Sequence, residues 1–395
     1  MNTADKHGRP VHGGLNVTEL ESIGLRPEEV IDFSANINPL GPSQRALEAA
    51  QSVNLAAYPD PDCLKLREAI GGALGVEPGR VLPGNGSTEL IHLLARACLS
   101  REDTALIFAP TFGEYAAACR IQGIAPVMAY PPNPDLVEEP EFAKGPFHWD
   151  LPGALESIAI LRPSVVFLCN PNNPTGVYLR EDEVRSIAEA LRGIGLLALD
   201  EAYVPFVEQP WDATTLLPLG NVVLLRSMTK DYALTGLRLG YMLAPEEIVE
   251  RVRGFQYSWS VNAPAQAAGI VAIADRQQVE KGREAVREGK EYLLKTARSL
   301  GLECAPAAAN FLLLRTPARK GLRRSAAELR RQLLTRHKVC VRDCASFGLP
   351  EYIRVGIRTM DDNRRLADAL RQVLEDESPL PEEGTNQSPL PLGEG

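Results

Sequence analysis

From about residue 65 onward, short uninterrupted apolar runs alternate with stretches whose apolar side chains recur every three or four positions. The runs predict strands over Thr104–Ala109, Pro126–Ala129, Val165–Cys169, Leu196–Leu199, Val222–Arg226 and Leu239–Leu243. The stretches between them predict helices over Thr88–Leu99, Glu114–Gln122, Ala154–Leu161 and Glu181–Arg192. Strands without a polar face must be covered on both sides, so the alternation predicts βαβ units and a mostly parallel central sheet flanked by helices. Sheets of this kind place ligands at the carboxyl ends of their strands.

After Val261 the pattern changes. A helical stretch runs from about Pro264 into the charged segment Arg276–Leu300, followed by strand candidates Phe311–Leu314, Val339–Arg342 and Ile353–Ile357 and by helix candidates Ser325–Arg336 and Met360–Glu375. The expected architecture is therefore α/β, a large domain around the central sheet plus a smaller α+β domain. Residues 1–45, rich in Gly, Pro and Asn, read as an extended arm that contributes to the small domain and the active site. Residues 46–270 read as the large domain and 271–375 as the C-terminal small domain. Residues 376–395, rich in Pro, Gly and Glu, read as a disordered tail.

Composition narrows the function classes. A chain of 395 residues has room for a large core without staples. A net charge of −9 gives no overall basic field for nucleic acid or anionic lipid. No apolar run approaches the roughly 20 residues of a membrane span, and the first ten residues lack a secretory apolar stretch. Seven cysteines without paired spacing argue against a disulfide framework; Cys340 and Cys344, the one close pair, cannot make a four-ligand zinc site. A cytoplasmic, metal-free protein is the expectation.

Four turn-rich segments stand out, three of them at the ends of predicted strands. Pro83-Gly-Asn-Gly-Ser-Thr-Glu89 leads into a helix and offers backbone N–H groups and hydroxyls to an anion. Asn170-Pro-Asn-Asn-Pro-Thr-Gly176 is a rigid turn that can aim an amide. Leu199-Asp-Glu-Ala-Tyr203 puts an acid at the end of a buried strand, and Arg226-Ser-Met-Thr-Lys230 is followed by Arg238 eight positions after the lysine. Taken singly, each also reads as ordinary structure: a capped helix, a turn, an N-cap, a solvated lysine.

In this order and spacing the four segments resemble the fold-type I aminotransferase superfamily, whose members use pyridoxal 5′-phosphate. The resemblance runs nearly to residue 375 and makes 46–270 the cofactor-binding domain. It implies that Lys230 links covalently to the cofactor and later carries a proton, that Asp200 partners the ring nitrogen, and that Tyr203 and Asn173 bond the phenolic oxygen. It implies a phosphate cup of Gly86, Ser87, Thr88, Ser227 and Arg238, and a ring-stacking role for Phe112 in Pro110-Thr-Phe-Gly-Glu-Tyr115; a core phenylalanine is the other reading there. Tyr58, in Tyr58-Pro-Asp-Pro61, matches a tyrosine that reaches the neighbouring subunit's cofactor, which implies a homodimer with shared sites.

Three further segments, His12-Gly-Gly14, Asp32-Phe-Ser-Ala-Asn-Ile-Asn-Pro-Leu-Gly41 and Trp259-Ser-Val-Asn262, resemble the threonine-phosphate decarboxylases of cobalamin biosynthesis, close relatives of the histidinol-phosphate aminotransferases. By that resemblance Arg342 and Arg354 hold the substrate's anionic groups, with His12 and Asn36 as further substrate contacts; a flexible-arm histidine and a turn asparagine are the plainer readings. Guanidinium forks suit carboxylate and phosphate alike. Arg358 is left out, because only Arg354 fits the motif and Gly356 between them allows a bend. The expectation is a carboxy-lyase that converts L-threonine O-3-phosphate to (R)-1-amino-2-propanol O-2-phosphate. The alternatives are histidinol-phosphate transamination, another class I/II aminotransferase, or a non-catalytic protein that kept the fold.

Overall fold

Seven strands make the central sheet of the computed structural model, in the spatial order Val81–Asn85, Leu239–Leu243, Val222–Ser227, Leu196–Asp200, Val165–Cys169, Ala105–Phe108, Val127–Ala129. Only Leu239–Leu243 runs against its neighbours; the other pairs are parallel. The structure describes residues 10–132, 147–305, 307–319, 322–323 and 325–375, so the expected disordered tail at 376–395 lies outside the described residues.

Alternation along each strand divides the core in two. Leu106, Phe108, Val166, Leu168, Leu197, Leu199 and Leu224 face one layer of helices. Ile107, Val165, Phe167, Ala198, Val223 and Leu225 face the other. All of these side chains are buried, and at roughly 1.5–3 kcal/mol for each large one this double burial is what makes the strands read as continuous apolar runs.

The strand Val81–Asn85 and the helices Gln44–Gln51, Leu64–Leu74 and Glu246–Arg253 were not among the elements expected from the sequence. Val-Leu-Pro-Gly-Asn hides its strand because Pro and Gly are poor strand formers. Gly84 is nevertheless required there: a Cβ on it would meet the Leu90 side chain at 2.7 Å. The long helical stretch expected from Pro264 to Leu300 is two helices, Ala263–Ala274 and Arg276–Ser299. Asp275 separates them, its side chain accepting from the Gln278 N–H.

A second, antiparallel sheet orders Arg342–Asp343, Tyr352–Gly356, Phe311–Arg315 and Glu303–Cys304. Its core joins Leu312, Leu314, Ile353 and Val355 to Leu293, Leu329, Leu333, Leu370 and Val373 of the covering helices. The expected strand Val339–Arg342 is two short strands in different sheets: Val339–Cys340 pairs in parallel with Ile31–Asp32, and Arg342–Asp343 pairs with Tyr352–Gly356. The first 45 residues are therefore not extended throughout. They carry the helix Val17–Ser22, packed through Leu20 against Leu334 and Cys340, and tied by a two-pronged Arg330–Glu19 ion pair. Beyond Ile31–Asp32 this segment crosses the end of the second sheet, where Gly356 N–H donates to Phe33 O at 2.7 Å.

Candidate active site

A cavity of about 620 Å³ opens at the carboxyl edge of the large sheet, between it, the N-terminal segment and the second sheet. Its floor is made of strand ends. Asp200 closes Leu196–Asp200, is buried, and accepts hydrogen bonds from Tyr115 Oη at 2.8 Å and from Ala202 N–H at 3.0 Å. Burial raises its carboxyl to about 6, against the pull of those two donors and of Lys230. Tyr115 is fully buried and stacked on Phe167 with ring centroids 5.3 Å apart, so Asp200 is pinned from behind.

Lys230 follows the strand Val222–Ser227 on a loop held by Asn38 N–H donating to Lys230 O. Burial, with Arg354 and Arg238 nearby, lowers its ammonium to about 8, while Asp200 opposes the shift. With its pKa near 8, a fraction of this lysine is free amine near neutral pH and the rest ammonium, so it can both form an imine and give a proton.

Around this pair lie Tyr203, which accepts from Asn36 Nδ2 at 3.4 Å, and Asn173, whose Oδ1 accepts from Arg354 Nη1. The Asn170–Gly176 turn is fixed by its own amides: Asn170 bonds the backbone of Leu179 in both directions, and Asn172 donates to Pro110 O and Thr175 Oγ1.

At one end of the cavity Gly86, with φ +77°, opens the helix Gly86–Cys98 and brings Ser87 and Thr88 to the wall. A Cβ on Gly86 would sit 2.8 Å from Arg238 Nη2. Ser227 Oγ and Thr229 Oγ1 lie 2.7 Å apart beside them. Helix N–H groups, four hydroxyls and a guanidinium without an acidic partner among the described residues make a cup for an anion.

The opposite wall is cationic. Arg354 and Arg342 are buried, and each has an Nε without a partner. Arg354 also donates to Ser34 O at 2.7 Å, and Arg342 to Val11 O at 2.9 Å and Ser346 Oγ at 2.5 Å. Arg342 is lowered to about 10, first by burial and then by Arg354. His12 and Asn36 line the same wall. Gly13 passes so close that a Cβ on it would lie 2.1 Å from Ser34 O, which leaves no room for a larger residue. His12 leans on Phe112, ring centroids 5.5 Å apart, and its Nε2 lies 2.7 Å from Glu114 Oε1.

All the expected cavity residues except Gly86 and Tyr58 line this one space, and Gly86 adjoins it through Arg238. Tyr58 is 80% exposed, stacks on Trp259 and does not line its own chain's cavity. Arg358 turns away to Asp362, and Asn38 bonds Asp231 O and Leu40 N–H. Sequence reasoning missed Tyr115, Thr229 and Ser34. Tyr115 was the findable one, three positions after Phe112 in the same segment, Pro110-Thr-Phe-Gly-Glu-Tyr115. Among the described residues no group of three or more His, Cys, Asp or Glu is placed to hold a metal, and no helix is long and apolar enough to cross a membrane.

The arrangement fits pyridoxal 5′-phosphate: a dry carboxylate for its ring nitrogen, an amine for its aldehyde, a phenol and an amide for its phenolic oxygen, and an anion cup for its phosphate. Comparison with known proteins agrees. The family described as aminotransferase class I and II matches residues 28–370. A histidinol-phosphate aminotransferase of Symbiobacterium thermophilum is 35% identical over 378 residues, 95% of this chain and 98% of that protein. Another, from Anaeromyxobacter sp. (strain Fw109-5), is 38% identical over 87% of this chain and 91% of that protein. Among solved structures, L-threonine-O-3-phosphate decarboxylase from Porphyromonas gingivalis superposes with TM-score 0.72 at 26% identity, covering 87% of this chain and 99% of that one. Histidinol-phosphate aminotransferase from Sinorhizobium meliloti, in complex with pyridoxal-5′-phosphate, superposes with TM-score 0.78 at 23% identity over 92% and 95%. The chain belongs to the aminotransferase class I and II family and is a pyridoxal-phosphate-dependent enzyme.

Proposed function

We propose that this enzyme decarboxylates L-threonine O-3-phosphate, releasing carbon dioxide and (R)-1-amino-2-propanol O-2-phosphate. The observation that carries the reading is the cationic wall. Two buried arginines with unpartnered Nε atoms and the arm histidine His12 line the same cavity as Asp200 and Lys230. A substrate bearing both a phosphate and a carboxylate uses that much positive charge, whereas histidinol phosphate carries the phosphate alone.

Bound pyridoxal 5′-phosphate supplies an electron sink conjugated to the substrate's Cα. Lys230, Asp200, Tyr203, Asn173, Ser227, Arg238, Ser87 and Thr88 would hold it, with Phe112 against its face. The chain's own residues would decide which Cα bond is activated, through where they anchor the substrate's charged groups. Arg354 reaches Asn173, so it sits beside the ring's edge. A phosphate on Arg354 and Arg342, with His12 beside it, would leave the substrate's carboxylate free of these anchors. Its loss as carbon dioxide would leave Cα in need of a proton. Lys230, held near pH 8, delivers the proton that Cα takes up. Asp200, in a dry setting, keeps a proton on the ring nitrogen throughout.

In this reading Tyr58, exposed and stacked on Trp259, reaches the cofactor phosphate of a second copy, and the working enzyme is a homodimer. Histidinol-phosphate transamination is the second reading, favoured by the names of relatives at 32–38% identity. One pair of incubations separates the two. Stoichiometric carbon dioxide from phosphothreonine, with no 2-oxo acid, supports decarboxylation. Glutamate-dependent turnover of imidazole-acetol phosphate, without carbon dioxide from phosphothreonine, refutes it.

A further inference from the structure

We infer that Glu114 is a positioning residue for the substrate's phosphate and acts through His12; this rests on the phosphorylated-substrate reading above. Glu114 opens the helix Glu114–Ile121, two residues after Phe112, and is buried. Its two oxygens serve two histidines: Oε1 lies 2.7 Å from His12 Nε2, and Oε2 lies 2.7 Å from His92 Nε2. His92 belongs to the helix Gly86–Cys98, whose first turn carries Ser87 and Thr88. One carboxylate thus ties the arm both to the loop bearing Phe112 and to the helix of the anion cup. Pro10 packs against Gly113 beside it, where a Cβ on Gly113 would meet Pro10 Cβ at 3.1 Å.

The chemistry follows from which atoms can donate. Burial works against a charged Glu114, but the bonds from His12 and His92 outweigh it and hold the carboxyl down to about 2, so it is an anion throughout the working range. A carboxylate only accepts, so His12 Nε2 carries a proton and Nδ1 is the ring's one remaining nitrogen. His12 is flanked by the two arginines of the wall: Arg342 bonds Val11 O, and Arg354 lies against Gly13. Without Glu114 the imidazole would lose the anchor that fixes its orientation beside them, and the phosphate would have only the two arginines.

The test is a double-mutant cycle on the holoenzyme, reading dissociation constants from the cofactor's absorbance on titration with O-phospho-L-threonine and, separately, inorganic phosphate. Glu114→Gln keeps the size and removes the charge, and is expected to weaken both ligands about tenfold, as is His12→Ala. Because Glu114 acts through His12, the double variant should be within about twofold of His12→Ala. His92→Ala, which strips one donor from the carboxylate, should cost less, and nothing further in the His12→Ala background. Amide exchange of residues 10–14 in the apoprotein should quicken in Glu114→Gln. Multiplying losses in the cycle, or a Glu114→Gln variant that binds phosphate like wild type, overturns the inference. A wild type that ignores phosphothreonine yet shows the coupling for inorganic phosphate overturns the substrate reading and leaves the role of Glu114 standing.

Discussion

The two walls of the cavity are built in opposite ways. The wall with Asp200, Lys230, Ser227 and Asn173 comes from the ends of adjacent strands of one sheet, within about 60 positions of sequence, and its charge is fixed by burial and by neighbours such as Tyr115. The wall with His12, Asn36, Arg342 and Arg354 is assembled from segments more than 300 residues apart, and its guanidiniums answer to no carboxylate among the described residues. The first wall can do one kind of chemistry whatever the substrate. The second holds its two guanidiniums without acid partners among the described residues, at the cost of their desolvation, which has value only where a ligand brings the anions. Reaction type within the family should therefore be written on the second wall.

Mutations that break the first wall should have the largest effects. Lys230→Ala removes both the amine and the proton carrier, and turnover should fall on the order of 10⁴-fold, the upper range for a positioned proton carrier; steady-state carbon dioxide release checks this. Asp200→Asn should follow, losing about 10²–10³-fold, because an electrostatic partner of the ring is gone while the shape is kept. Both variants should still bind inorganic phosphate at the second wall. On that wall, Arg354→Gln should raise KM for phosphothreonine by about 10²-fold with a smaller change in kcat, the mark of lost substrate binding. A matching loss for an unphosphorylated amino acid would blur the division between the walls.

A further effect is on stability. Asp200 has its folded-state pKa raised from 3.8 to about 6. Its contribution to apoprotein stability is therefore full below pH 4 and lost as pH rises through 6. From the size of the shift the loss is about 3 kcal/mol. The difference in unfolding free energy between wild-type and Asp200→Asn apoprotein should narrow by that order between pH 4 and 7, measured by urea titration. Glu114 has the opposite sign, its pKa being depressed, so its contribution is lost as pH falls from about 4.5 toward 2; comparing the two proteins removes it.

The two walls also differed in legibility. Strands such as Val165–Cys169 and Leu196–Asp200 show as apolar runs because both faces are buried, and the turns after them carry compact motifs. Val81–Asn85 was hidden because its pairing with Leu239–Leu243 needs Gly84 and Gly240, where Cβ atoms would strike Leu90 and Ser87 N. The arm's helix and its parallel pairing with Val339–Cys340 depend on contacts with Leu334 and Arg330, which no local pattern encodes. For the same reason no local pattern singles out Glu114: its two partners lie 102 and 22 positions away.

The most direct test of the account is reduction of the holoenzyme with borohydride followed by peptide mass spectrometry. The account predicts the reduced cofactor adduct on the peptide containing Lys230, and no adduct in Lys230→Ala. An adduct on another lysine, or an unmodified Lys230 peptide from fully loaded enzyme, would contradict it.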